Sequence, residues 1–212
     1  GALIAATIAD SLAQYGPTAR ERLRLYFQKQ NLTSPPSQIA LIGLKEEKIL
    51  EVYARNGTND FKRIRSYPIL AASGGAGPKL REGDRQVPEG IYGIESLNPN
   101  SRFHLSLRVD YPNAFDRGQA AREGRTNPGG DIMIHGSAVS VGCLAMGDEA
   151  SEDLFVLAAD TGLKDITVIL APVDFRDAHK TVPASTKLPP WTAGLYEKLR
   201  AELKQFPERQ KP

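Results

Sequence analysis

Between residues 38 and 135 the apolar residues come in short runs broken by Gly- and Pro-rich stretches, and this segmentation limits the fold more than any other feature of the chain. Short apolar runs cannot bury themselves singly; they must pair edge to edge into sheets. Gln38–Leu44 and Lys48–Arg55 flank the charged turn Lys45-Glu46-Glu47 and read as a hairpin. Phe61–Ala72 is a third strand, with Pro68 pushing it to an edge or bulge. Gly90–Ser96 is a fourth. Phe103–Asp110 alternates, with Phe103, Leu105, Leu107 and Val109 on one face and His104, Ser106, Arg108 and Asp110 on the other. Asp131–His135 and Asp165–Ala171 complete the set.

Helical patterning lies mostly outside this region. Pro17 suits the first turn of a helix over 17–30, where Leu23, Tyr26 and Phe27 share a face. Asp148 caps a helix over 149–160 that Gly162 closes, and 192–205 forms a last helix. Tyr111–Gly130 reads as one long, charged loop, of the kind that serves as a lid. The tail 207–212 reads as loose. The expected fold is mainly β and mostly antiparallel, with helical additions at both ends. We expect three parts: an N-terminal helical arm over 1–36, a catalytic domain over 37–175 and a C-terminal helical extension over 176–212, the first join falling at Ser34-Pro35-Pro36-Ser37.

Charge excludes one large class. Lys+Arg number 27 against Asp+Glu 25, too even a balance for a nucleic-acid binder. No run of eighteen apolar residues exists, so no transmembrane segment is expected. Gly1–Ala9 is small and apolar without a basic start, which fits a chain whose secretion signal has been removed.

The chain holds one cysteine. A lone Cys makes no internal disulfide and no multi-cysteine zinc site, and on composition it reads as a small buried apolar residue. Its neighbours point elsewhere. Asp131–Asp148 reads DIMIHGSAVSVGCLAMGD, in which His135 precedes Cys143 by eight residues across a turn of Gly, Ser, Ala and Val. A thiol attacks as the thiolate, so an acyl-transfer Cys needs a base within reach. A turn this short can return Cys143 toward His135. Gly142 permits close approach of a substrate, and the Gly142 and Cys143 amides are candidates for an oxyanion hole. With no carboxylate nearby, the Gly136 carbonyl is a candidate to orient the imidazole. From spacing alone this reading and a buried structural His and Cys are near even. A zinc site would need His104, His179 or scattered carboxylates without ligand-like spacing, so no metal and no cofactor are expected.

His135-Gly136 followed by Ser140-Val141-Gly142-Cys143 resembles the signature of L,D-transpeptidases with the YkuD-type catalytic domain, nearest to the YafK-like murein branch. Gly77-Pro78-Lys79, Val87-Pro88-Glu89-Gly90-Ile91-Tyr92 and the stretch Asn98-Pro99 to Asp116 resemble that branch as well. The likeness covers roughly residues 35–175. It departs at two positions: Val141 stands where most members have a second His, and Ala145 where many have Arg.

The resemblance implies a YkuD-like β-sandwich of antiparallel and mixed strands. It implies an exported, periplasmic enzyme acting on peptidoglycan stem peptides that contain meso-diaminopimelate, with Cys143 as nucleophile and His135 as base. The thioester passes to water or to an amine: hydrolysis would release murein-bound lipoprotein, whereas an amine acceptor would give cross-links or attached lipoprotein. Ser140 would support the loop, and Arg81, Glu82 and Asp84 are candidates for contact with the zwitterionic diaminopimelate. Tyr67 and His104 are further candidates, each with a competing role in the core or on a sheet face. A catalytically silent wall-binding module is the alternative from another class.

Overall fold

A computed structural model describes residues 4–207. The expectations for Gly1–Leu3 and for the tail from 208 to 212 lie outside the described residues. Among the described residues nine strands form two sheets. The first runs β3 (Lys62–Pro68), β2 (Ile49–Arg55), β1 (Gln38–Leu44), β9 (Ile166–Ala171), β4 (Gly90–Tyr92). The second runs β5 (Ile94–Ser101), β6 (His104–Val109), β7 (Met133–His135), β8 (Leu144–Ala145). Pairing is antiparallel except for β1 with β9 and β7 with β8, so both sheets are mixed.

The first sheet is covered on both sides, which is why β1 is apolar at consecutive positions and not at alternate ones. Ile39 and Leu41 join one core with Leu105, Leu107 and Ile134 of the second sheet. Helices α1 (Ile8–Lys29) and α3 (Asp148–Thr161) add Leu23, Phe27, Leu154 and Phe155 to it. Ala40, Ile42 and Ile169 face the other way, onto Leu195, Leu199 and Leu203 of α4 (Thr192–Leu203).

Two expected strands each divide between the sheets. Gly90–Ser96 breaks at Gly93, whose amide donates to Asp110 Oδ1 at 2.9 Å, and the chain crosses from β4 to β5. β3 ends at Pro68; Ile69 N still donates to Lys48 O, and Leu70 N then donates to Ala145 O at 2.8 Å. That handover carries the chain onto β8, beside Cys143.

The helices correct three local readings. α1 begins at Ile8 and runs through Pro17, because Thr7 and Asp10 form a capping box nine residues before the expected start. Its buried Gly16 leaves room for the Arg20 guanidinium, which reaches Asp160 of α3 at 2.8 Å. Tyr111–Gly130 contains α2 (Ala114–Arg122), started by a capping box of Asn113 and Asp116. Asp148 does not cap α3: the N-cap is Gly147, and the Asp148 side chain turns back to the Ser137 amide at 2.9 Å. Gly162 closes α3 with φ of +99°.

Candidate active site

The register of β7 against β8 sets His135 beside Ala145, with Cys143 two residues earlier on the approach to β8. The turn between them is tied at its base. Met146 N donates to His135 O at 2.8 Å, Gly147 N to Ser137 O at 2.9 Å, and Asp148 takes the Ser137 amide. Ser137 sits at φ +64° and Gly142 at φ +76°. At Gly142 the left-handed backbone, and not lack of space, is what calls for glycine, since an added Cβ would meet nothing closer than 3.9 Å.

His135 is buried, 2% exposed, with its ring stacked on Phe103 at 4.6 Å between centroids. Its Nδ1 lies 2.5 Å from the Gly136 carbonyl oxygen. A carbonyl only accepts, so Nδ1 carries the proton and Nε2 keeps its lone pair. Burial lowers the imidazole's pKa, against the Gly136 hydrogen bond, which raises it. The ring is therefore a neutral base of fixed tautomer. Gly136 cannot carry a side chain: a Cβ there would lie 2.7 Å from both Asp148 Oδ1 and Phe103 O.

Cys143 is half-buried. Its thiol donates to Asp131 O and accepts from Met133 N, each at 3.3 Å, so its partners are backbone groups and not the imidazole. Burial pushes the thiol above its ordinary pKa; the Met133 amide lowers it, Asp131 raises it and Lys79 lowers it. A neutral thiol has little to gain from a neutral ring, and catalytic contacts commonly tighten only when substrate arrives. The Cys143 amide donates to no group among the described residues. The Gly142 amide donates to Ser73 Oγ at 2.7 Å, which takes it out of the oxyanion hole expected from the sequence.

The remaining candidates scatter. Ser140 Oγ lies in the turn, buried and without a partner among the described residues. Asp84 accepts from Lys79 Nζ at 2.7 Å and from the amides of Leu80, Arg81 and Gln86. Burial alone would raise its pKa; the lysine and the three amides hold it below the usual value. It is an organiser of its loop. Arg81 and Glu82 are exposed, and their backbones brace that loop through Lys79 and Asn127. Tyr67 is buried on β3 with its hydroxyl on Asp153 at 2.9 Å, in a core network with Arg22 and Arg65. His104 is edge-on to Tyr15 and 3.5 Å from Glu152, behind the His135 strand. The structure thus gathers His135, Gly136, Ser140, Gly142 and Cys143 in one turn and gives Tyr67 a partner in the core instead.

Residues that the sequence did not single out shape the site. Phe103 flanks the imidazole, Lys79 influences the thiol, and Ser73 holds Gly142 from 69 residues away. Nothing local to Ser73 announces that contact. Among the described residues no group of three or more His, Cys, Asp or Glu gathers as for a metal ion, and no helix is long and apolar enough to cross a membrane.

Residues 37–170 match the family model of the YkuD L,D-transpeptidase catalytic domain. YafK of Escherichia coli K12, a candidate L,D-transpeptidase by name, is 35% identical over 156 residues, which are 71% of this chain and 60% of YafK. The chain thus spans about 60% of that relative's length. The crystal structure of Pgp2 from Campylobacter jejuni, a helical cell shape determining protein, superimposes with a TM-score of 0.53 at 21% identity, over 71% of this chain and 51% of Pgp2. A singly substituted form of Pgp2 gives 0.53 at 19% identity, over 79% and 58%. These likenesses are of fold. The family match contains the whole His135–Cys143 turn and both sheets but for Ala171 at the end of β9, and the chain belongs to the YkuD family of L,D-transpeptidase catalytic domains.

Proposed function

We propose that this chain is a cysteine acyl-transfer enzyme of the bacterial cell wall, taking meso-diaminopimelate-containing stem peptides through a Cys143 thioester that water resolves. The observation that carries this reading is the neutral, tautomer-locked His135 on the strand paired with the one that follows Cys143. Family membership supports peptidoglycan as the substrate. The substrate lies outside the cytoplasmic membrane, so the protein's work is periplasmic.

In the proposed sequence, Cys143 Sγ attacks the carbonyl carbon that follows the L-centre of diaminopimelate while its proton passes to His135 Nε2. The charge that forms on the carbonyl oxygen is met by the free Cys143 amide. Collapse breaks the C–N bond, the leaving amine takes the proton from Nε2, and the acyl group remains on sulfur. Water then gives its proton to Nε2 and attacks the thioester; the C–S bond breaks and the thiolate recovers the proton. Because burial keeps the resting thiol and ring neutral, proton transfer accompanies attack. Where the leaving amine belongs to a murein-bound lipoprotein, the reaction releases that protein.

Incubation with diaminopimelate-containing muropeptides, free and lipoprotein-linked, followed by mass spectrometry of the products, tests the reading. Hydrolysed products are expected. Cross-linked products alone would replace water with an amine acceptor. A carbapenem is expected to label Cys143, with no labelling in Cys143→Ala and at least about a hundredfold slower labelling in His135→Ala. An unlabelled wild-type thiol would leave a wall-binding module in place of an enzyme.

A further inference from the structure

The Gly142 amide is held by Ser73, and Ser73 is in turn held by a polar chain, half-buried at Ser73 and buried at Glu89, that ends on the C-terminal helix. Ser73 Oγ donates to Arg85 O at 2.6 Å while it accepts from Gly142 N. The glycine loop behind it is zipped to the following segment: Gln86 Nε2 donates to Gly75 O at 2.7 Å and to Gly77 O at 2.6 Å. Gly77 N donates to Glu89 Oε2 at 2.9 Å. The Glu89 carboxylate is fully buried and also takes Lys45 Nζ at 2.9 Å, and Lys45 reaches on to Gly77 O at 3.0 Å and Val87 O at 2.8 Å. Its other oxygen accepts from Tyr196 Oη of α4 at 2.6 Å.

Packing alone does not require this. α4 already buries Leu195, Leu199 and Leu203 against the first sheet. A buried Lys–Glu pair is a weak source of net stability, because desolvation offsets its attraction. What it supplies is geometry: both Glu89 oxygens and all three Lys45 contacts are directional, and they fix the loop that carries Ser73. The loop's glycines, with φ of +84° at Gly74 and +125° at Gly77, have no preference of their own to hold it there.

We propose that Tyr196 and Glu89 are positioning residues for Cys143, acting through the glycine loop and Ser73 on the Gly142 amide, so that the C-terminal helix sets the geometry of the catalytic turn. The proposal rests on the reading of Cys143 as nucleophile. Neither residue touches the reacting atoms. Holding the Gly142 N–H fixes the Val141–Gly142 peptide, one residue before Cys143, and so limits the directions that the Cys143 Sγ and its free amide can take. Loss of such orientation lowers the rate of attack with little effect on substrate affinity.

The test is a double-mutant cycle of Tyr196→Phe and Ser73→Ala, with Ser73→Thr as the conservative rescue, in the full chain. Each variant is read by the rate of Cys143 alkylation with iodoacetamide, by kcat and KM on diaminopimelate-containing muropeptides, and by thermal midpoint. Each single variant is expected to lose on the order of tenfold in kcat with KM unchanged and to alkylate more slowly. The double variant is expected to lose no more than either single one, and Ser73→Thr to recover most of the loss. The proposal is overturned if Tyr196→Phe or Ser73→Ala alkylates and turns over like the wild type, or if the two losses multiply. Should Tyr196→Phe fail to fold, Glu89→Gln, which keeps an oxygen to accept from Tyr196, takes its place in the cycle with Ser73→Ala. If the wild type turns over no muropeptide, the functional reading fails separately, and alkylation still reports the coupling.

Discussion

Gly136 does two things, and the second of them needs glycine. Its carbonyl fixes the His135 tautomer, and its missing side chain leaves room for Asp148, Phe103 and His104 to close around the turn. Gly136→Ala places a Cβ 2.8 Å from His104 Cβ and 2.7 Å from Phe103 O, neither of which can withdraw cheaply, and 2.7 Å from Asp148 Oδ1, which withdraws only by leaving the Ser137 amide. Overpacking of this kind costs about 1–3 kcal/mol. The variant is expected to melt lower than the wild type by that measure, and its Cys143 to acylate more slowly with a carbapenem because the imidazole is turned. A variant with wild-type melting and acylation would show that the contact is not tight. At this scale the contact of the Gly136 carbonyl with His135 was legible, and so was a short turn between His135 and Cys143, because both depend on neighbours along the chain; the thiol's own partners, Asp131 O and Met133 N, were not. The capture of Gly142 by Ser73 was not, because no local pattern encodes a hydrogen bond across 69 residues.

Helix α2 shows how a local signal can be overlooked inside a polar stretch. Asn113 and Asp116 cap it reciprocally, and the Asp116 carboxylate also accepts from Tyr92 Oη at 2.8 Å. Burial raises the Asp116 pKa from 3.8 to about 6, against the hydrogen bonds from Tyr92 and Asn113. A carboxyl whose folded pKa is raised favours the fold most when protonated. Its contribution is therefore full below pH 3.8 and is lost as pH rises through 6. The shift is equivalent to about 3 kcal/mol. Asp116→Asn stays neutral throughout, so its unfolding free energy should gain on the wild type by about that amount between the two values and stay level above pH 7. Denaturant titrations at pH 4, 5, 6 and 7 check this; a constant difference between the two proteins would rule out the linkage. The strong alternation of β6 was plain in the sequence, whereas the crossing at Gly93 depends on Asp110 of a neighbouring strand and was not.

In the whole molecule, both terminal helices are structural parts of the core around the first sheet. Leu199 of α4 is fully buried against the face of the first sheet opposite the core that α1 and α3 share. Leu199→Ala should destabilise the protein by about 2–5 kcal/mol through lost burial and the cavity left behind. A loss under 1 kcal/mol in denaturant unfolding would mean that α4 is only loosely attached. Several features follow from the sequence by itself, because they depend on residues close along the chain. The segmented apolar runs dictate paired strands, Gly162 ends α3, and His135-Gly136 to Gly142-Cys143 forms a turn that carries an imidazole and a thiol. Other features were decided only by the tertiary structure, because they depend on which distant surfaces meet. The sheets share a core with α1 and α3, the chain after β3 hands over to β8, and Glu89 sits between Lys45 and Tyr196. Hydrophobic burial is non-directional and tolerates many pairings of such runs; the register of β7 on β8 and the directional bonds of the glycine loop select the one in which Cys143 lies along the strand from His135.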